Sequence, residues 1–85
     1  MKYEGFNSGK VYVDVTVRFG REGTVAPVSF IWEDGMTYQI DKVVNVRRAA
    51  SLVAGGNGIQ YTCMISGKES HLYYEENNRW FMERK

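Results

Sequence analysis

Hydrophobic and polar positions alternate along most of this chain, which is the period of a half-buried strand. From Lys10 to Phe19, Val11, Val13, Val15, Val17 and Phe19 fall on one side, and Tyr12, Asp14, Thr16 and Arg18 on the other. Gly20-Arg21-Glu22-Gly23 then predicts a turn into a second strand over residues 24–33. Pro27 cannot donate to a ladder, so it marks either a sheet edge or a bulge before Val28.

The organising stretch is residues 30–40, where Asp34-Gly35 separates two runs of aromatic and β-branched residues. That is the sequence of a hairpin, and the pair suits the positive φ of a type I′ turn. A third strand is expected from Met36 through Tyr38, Ile40, Val43, Val44 and Val46. Residues 45–54 allow two readings. Val46, Ala49, Ala50 and Val53 have helical spacing between a capping Asn45 and Gly55-Gly56. Alternatively the third strand continues and returns, after the tip Gly55-Gly56-Asn57-Gly58, as a long hairpin, the form favoured because so short a helix is marginal alone.

The remainder predicts three short strands, over residues 59–66, 70–75 and 79–84, turned at Gly67-Lys68 and Asn77-Asn78. The expectation is an all-β domain over residues 10–85: a six-stranded antiparallel meander that closes into a small barrel or two packed sheets, with a long Gly-tipped hairpin or short helix in its middle. Residues 1–9 lack a period and read as a lead-in, from which Tyr3 and Phe6 could cover one end of the core.

Composition supports a core without staples. The 85 residues are 44% hydrophobic and 14% aromatic, enough rings to bury a small domain. Cys63, the only cysteine, shares parity with Ile59, Tyr61 and Ile65, which makes it a buried structural thiol. The only histidine, His71, falls on another strand, so a Cys63–His71 nucleophilic pair is not expected. One histidine and one cysteine do not make a zinc site, and the glycines at 55, 56 and 58 lack the context of a phosphate loop. The carboxylates Glu33, Asp34, Glu75 and Glu76 lie beside turns, where they serve turn chemistry rather than acid–base catalysis. No enzyme, cofactor or metal is expected. No segment has the apolar length of a signal peptide or a membrane span, so the expected setting is cytoplasmic, without a membrane.

Lys and Arg total 11 against 10 Asp and Glu, so any basic surface must be local. The candidate is an arm carrying Lys42, Arg47 and Arg48, with Arg79, Arg84 and Lys85 near it, on which arginines would fix a phosphate backbone. The pairs Tyr73-Tyr74 and Trp80-Phe81 each turn one ring outward, and an outward Tyr74 would stack a base. The candidate nucleic-acid-binding residues are therefore Lys42, Arg47, Arg48, Tyr74 and Arg79. The alternative function is a protein-interaction or self-association module that pairs through exposed strand edges.

The segments Pro27-Val28-Ser29-Phe30-Ile31-Trp32, Tyr38-Gln39-Ile40-Asp41-Lys42-Val43, Leu72-Tyr73-Tyr74-Glu75 and Arg79-Trp80-Phe81 carry a resemblance. The chain resembles a group of short, uncharacterised bacterial β proteins and, more distantly, the small domain of unknown function associated with Y-family, error-prone DNA polymerases. The resemblance spans residues 27–84. It departs at Arg47-Arg48-Ala49-Ala50-Ser51, where the polymerase-associated domain carries tryptophans. It implies kinship of fold and a bacterial setting near DNA handling, and it assigns no functional residue.

Overall fold

The computed structural model describes residues 9–51, 56–75 and 78–83. It contains seven strands: β1 (Lys10–Phe19), β2 (Val25–Ile31), β3 (Thr37–Gln39), β4 (Lys42–Ser51), β5 (Gly56–Ile65), β6 (Lys68–Glu75) and β7 (Arg79–Glu83). All are antiparallel to their neighbours in one sheet of order β3-β2-β1-β7-β6-β5-β4, curled into a half-barrel. The expected lead-in lies, apart from Gly9, outside the described residues, as do residues 52–55, which include Gly55 of the hairpin tip, and Arg84 and Lys85.

The expected third strand is two strands, which is why there are seven and not six. Hydrophobic periodicity runs through Ile40 and Asp41 unbroken, but the hydrogen-bonding partner changes there. The Ile40 amide donates to Val28 O on β2 at 2.9 Å, and the Asp41 amide donates to Met64 O on β5 at 2.8 Å. Successive amides of an extended chain point to opposite sides, so two adjacent residues can hold two different strands. A pattern that reports only which face is apolar carries no record of such a change.

Residues 42–51 are extended, so the long-hairpin reading of the middle segment holds and the helix does not. Gly56, Asn57 and Gly58 are part of strand β5, paired with Ser51, Ala50 and Ala49. Two bulges bend the sheet. One leaves Val28 unpaired opposite Thr16 and Val17, beside Pro27, and one leaves Val44 unpaired opposite Cys63 and Thr62. Pro27 lies beyond the three-residue ladder of β3, whose partners are Ser29, Phe30 and Ile31.

The turns redistribute the expected chemistry. At Asp34-Gly35 only the glycine has positive φ, at 82°. Gly35 N donates to Trp32 O and Trp32 N to Met36 O, which makes a three-residue loop of type I followed by a left-handed glycine rather than a type I′ turn. Gly20 to Thr24 repeats the arrangement, with Gly23 at 87°. The type I′ conformation occurs instead at Ser66-Gly67, where φ is 51° and 80°.

The concave face holds the core: Phe30, Tyr61, Cys63, Leu72, Trp80 and Met82, flanked by Val13, Val15, Val17 and Val43. The convex face is not uniformly polar. Tyr73 and Phe81, on the opposite face from Tyr74 and Trp80, are also buried. Phe19, expected in the core from its parity with Val11, is exposed. The described residues contain no helix long and apolar enough to cross a membrane.

Candidate functional site

The five sequence-chosen residues divide between the two faces of the sheet. Because Val44 is bulged out, Val43 and Val46 both lie opposite concave residues, Cys63 and Tyr61. The same register sets Arg48 against Ile59, on the concave side, and Arg47 and Lys42 against Gln60 and Met64, on the convex side.

Arg79 is convex and belongs to a compensated cluster. Its guanidinium lies 4.2 Å from the centre of the Tyr12 ring, and its register partner is Glu75. Glu75 also accepts from the Tyr12 hydroxyl at 2.8 Å and from Lys10 Nζ at 3.2 Å. Partial burial pushes the Glu75 carboxyl up, but the Tyr12 hydroxyl, Lys10 and Arg79 outweigh this and hold it below the usual glutamate range. Lys10 is held above its ordinary value by the Tyr12 hydroxyl and by Glu75, against the opposing effect of burial. A phosphate at Arg79 would therefore compete with a carboxylate already in place.

Tyr74 is not an exposed ring. It is half-buried on the concave side, edge-on to Trp80 at 5.0 Å, and its hydroxyl donates to Asn78 Oδ1 at 3.0 Å. Its neighbour Tyr73 stacks on Phe81 at 5.0 Å with an interplanar angle of 9° and is buried as well. The proposed base-stacking platform is thus absorbed into packing on both faces. Tyr12, edge-on to Phe81, keeps the greatest exposure in this cluster.

Arg47 and Arg48 remain available. Arg47 Nε donates to Gln60 Oε1 at 3.0 Å, and Gln60 Nε2 in turn donates to the Tyr73 hydroxyl at 3.0 Å, which steadies the guanidinium on the convex surface. Arg48 and Lys42 are exposed and make no ion pair among the described residues. Charge is segregated here: from Lys42 to Ile65 the chain has three cations and no Asp or Glu.

What periodicity did not reveal is a seam. Beyond the crossing at Ile40 and Asp41, β4 pairs only with β5, and Val25, Ala26 and Pro27 pair only with β1, among the described residues. Among the described residues the two walls part, and the far side of β4 is a strand edge with no strand paired to it. Val44, Val46 and Phe19 are 48%, 50% and 72% exposed along this opening. On the concave side lies a cleft of about 150 Å³, bounded by Val17, Phe19, Val25, Ile59, Tyr61 and Trp80. A wider cleft of about 370 Å³ opens at the opposite mouth beside Phe30, Trp32 and Tyr38. Two sequence features could have pointed to the seam: the acid-free stretch 42–65 and the apolar residues on both parities at Val43, Val44 and Val46.

Reactive groups do not converge. Cys63 is fully buried, burial pushes its thiol up to about 11, and Sγ lies 3.7 Å from Tyr61 O. His71 pairs in register with Thr62, on the convex face opposite to Cys63. Among the described residues no group of three or more His, Cys, Asp or Glu could hold a metal ion. Compared with protein-family models, curated proteins and solved structures, the chain matches none.

Proposed function

We propose that the chain is a binding domain with no catalytic chemistry of its own, which takes an extended segment of a partner protein onto the open edge of β4. The observation that carries this reading is the seam: a ten-residue strand, paired on one side only among the described residues, with its Val44 and Val46 half exposed. Soluble proteins blunt such an edge by shortening it, covering it, bulging it or charging it. β4 is long and, among the described residues, uncovered, and its bulge and three cations disfavour a like-charged strand while leaving it a template for a strand of opposite charge. The test is selection from a displayed random-peptide library, followed by amide exchange on the complex. The reading requires peptides that protect β4 amides; peptides that protect only other strands count against it.

A second reading has its own observation. The acid-free arm with Lys42, Arg47 and Arg48 would suit a phosphate backbone, and the resemblance to a polymerase-associated domain would set it near DNA in a bacterial cytoplasm. Binding of labelled DNA or RNA that weakens steeply with salt and is lost in Arg47→Ala/Arg48→Ala supports it; binding indifferent to both rejects it.

A further inference from the structure

We propose that the strand accepted at the β4 edge is acidic, alternating carboxylate with apolar side chains; this rests on the strand-addition reading. Main-chain hydrogen bonds to β4 would accept almost any extended segment, so selectivity must come from the side chains beside it. Those on β4 are uniform in sign. Lys42, Arg47 and Arg48 are its charged residues, and its neighbour β5 has none. Opposite charges facing across a ladder stabilise the pair, and like charges facing each other destabilise it.

The same arithmetic argues against a second copy as the occupant. Antiparallel pairing of β4 with β4 about Asn45 sets Lys42 against Arg48, and about the Arg47-Arg48 bond it sets arginine against arginine. Any such ribbon doubles a positive charge that no carboxylate on β4 or β5 offsets. A strand with glutamates or aspartates removes the repulsion and also gains encounter rate from the field of the arm.

The apolar half of the pattern follows from the concave side. Ile59 and Tyr61, the register partners of Arg48 and Val46, form one wall of the 150 Å³ cleft, and Phe19 and Val25 form another. Alternate residues of an added strand face that cleft, which has room for an aliphatic side chain and offers it no carboxylate. The intervening residues face outward, toward Lys42 and Arg47, while Arg48 meets the strand at the rim of the concave side.

The probes are two fluorescein-labelled seven-residue peptides, one alternating glutamate with valine and the other lysine with valine, titrated into the full chain at low and physiological salt. The glutamate peptide should bind at least tenfold more tightly and protect β4 amides from exchange. In Arg47→Glu/Arg48→Glu the preference should reverse, with an unchanged circular dichroism spectrum. Equal affinities with β4 protected overturn the acidic preference and leave strand addition standing. Failure of both peptides, together with library-selected peptides that never protect β4, overturns both. Tighter binding of duplex DNA than of the glutamate peptide, lost in the same variant, overturns the proposal in favour of nucleic acid.

Discussion

Ile40 and Asp41, adjacent in sequence, are hydrogen-bonded to opposite walls of the half-barrel, one to Val28 and the other to Met64. This pair is the hinge of the architecture. It joins the two terminal strands of the sheet at one level and lets them separate above it. Asp41 reinforces the junction, because its Oδ2 accepts from the Ser66 amide at 3.0 Å and so ties the crossing to the β5–β6 turn.

Asp41→Ala should therefore destabilise the fold by about 1 kcal/mol, the net worth of one exposed charge-assisted bond. Asp41→Pro also removes the amide that reaches Met64 and should cost more. Urea unfolding with a common slope checks both, and equal midpoints for wild type and Asp41→Pro would show that the crossing carries no stability.

Turn chemistry gives predictions of opposite sign. Gly35→Ala forces a side chain into φ 82° and should cost ~1–2 kcal/mol. Ser66 already sits at φ 51° without being glycine, so Ser66→Asn, which creates the preferred Asn-Gly pair of a type I′ turn, should raise the melting temperature.

Two phenylalanines should behave contrary to their sequence pattern. Phe81 is 1% exposed on the convex face, and Phe81→Ala should cost about 3–5 kcal/mol, as a core truncation does. Phe19 is 72% exposed at the seam, so Phe19→Ser should leave stability within about 0.5 kcal/mol. Under the strand-addition account it should nevertheless weaken peptide binding.

Cys63 makes a pH prediction. Its folded-state pKa, raised from 9.0 to about 11, means the native state holds its proton more tightly than the unfolded chain does. Its contribution to stability is complete below pH 9.0 and is lost as pH rises to about 11. Cys63→Ala should remove that alkaline decline while lowering stability at neutral pH. The wild-type thiol should stay unreactive toward a disulfide reagent at pH 8 until the chain is unfolded.

The fold class was legible because face alternation is written directly into β1 and β5, where Val11 to Val17 and Ile59 to Ile65 alternate. Hidden from it were the features set by partner identity. Periodicity records which face a residue takes and not which strand it bonds, so the change at Ile40 and Asp41 and the open seam that follows were invisible. The bulge at Val44 hid the sharing of one face by Val43 and Val46. Arg47 and Arg48 were readable as candidates and as lying on opposite faces of an extended strand. Tyr74 and Arg79 were not readable as occupied, since their partners Trp80, Asn78, Tyr12 and Glu75 come from other elements or across a turn. The burial of Tyr73 and Phe81 on the convex face breaks the rule that one face of a strand is wet, so their neighbours' orientation misled.

The central claim is that one edge of β4 is open, and amide exchange along Asn45 to Arg48 in the free protein tests it most directly. In a strand paired on one side only, amides that point to the partner are protected and the alternate ones are not. The account predicts that alternation, with the unprotected set slowed when the glutamate–valine peptide is added. Uniform protection of consecutive β4 amides in the peptide-free protein would mean the edge is already covered, and would contradict the account.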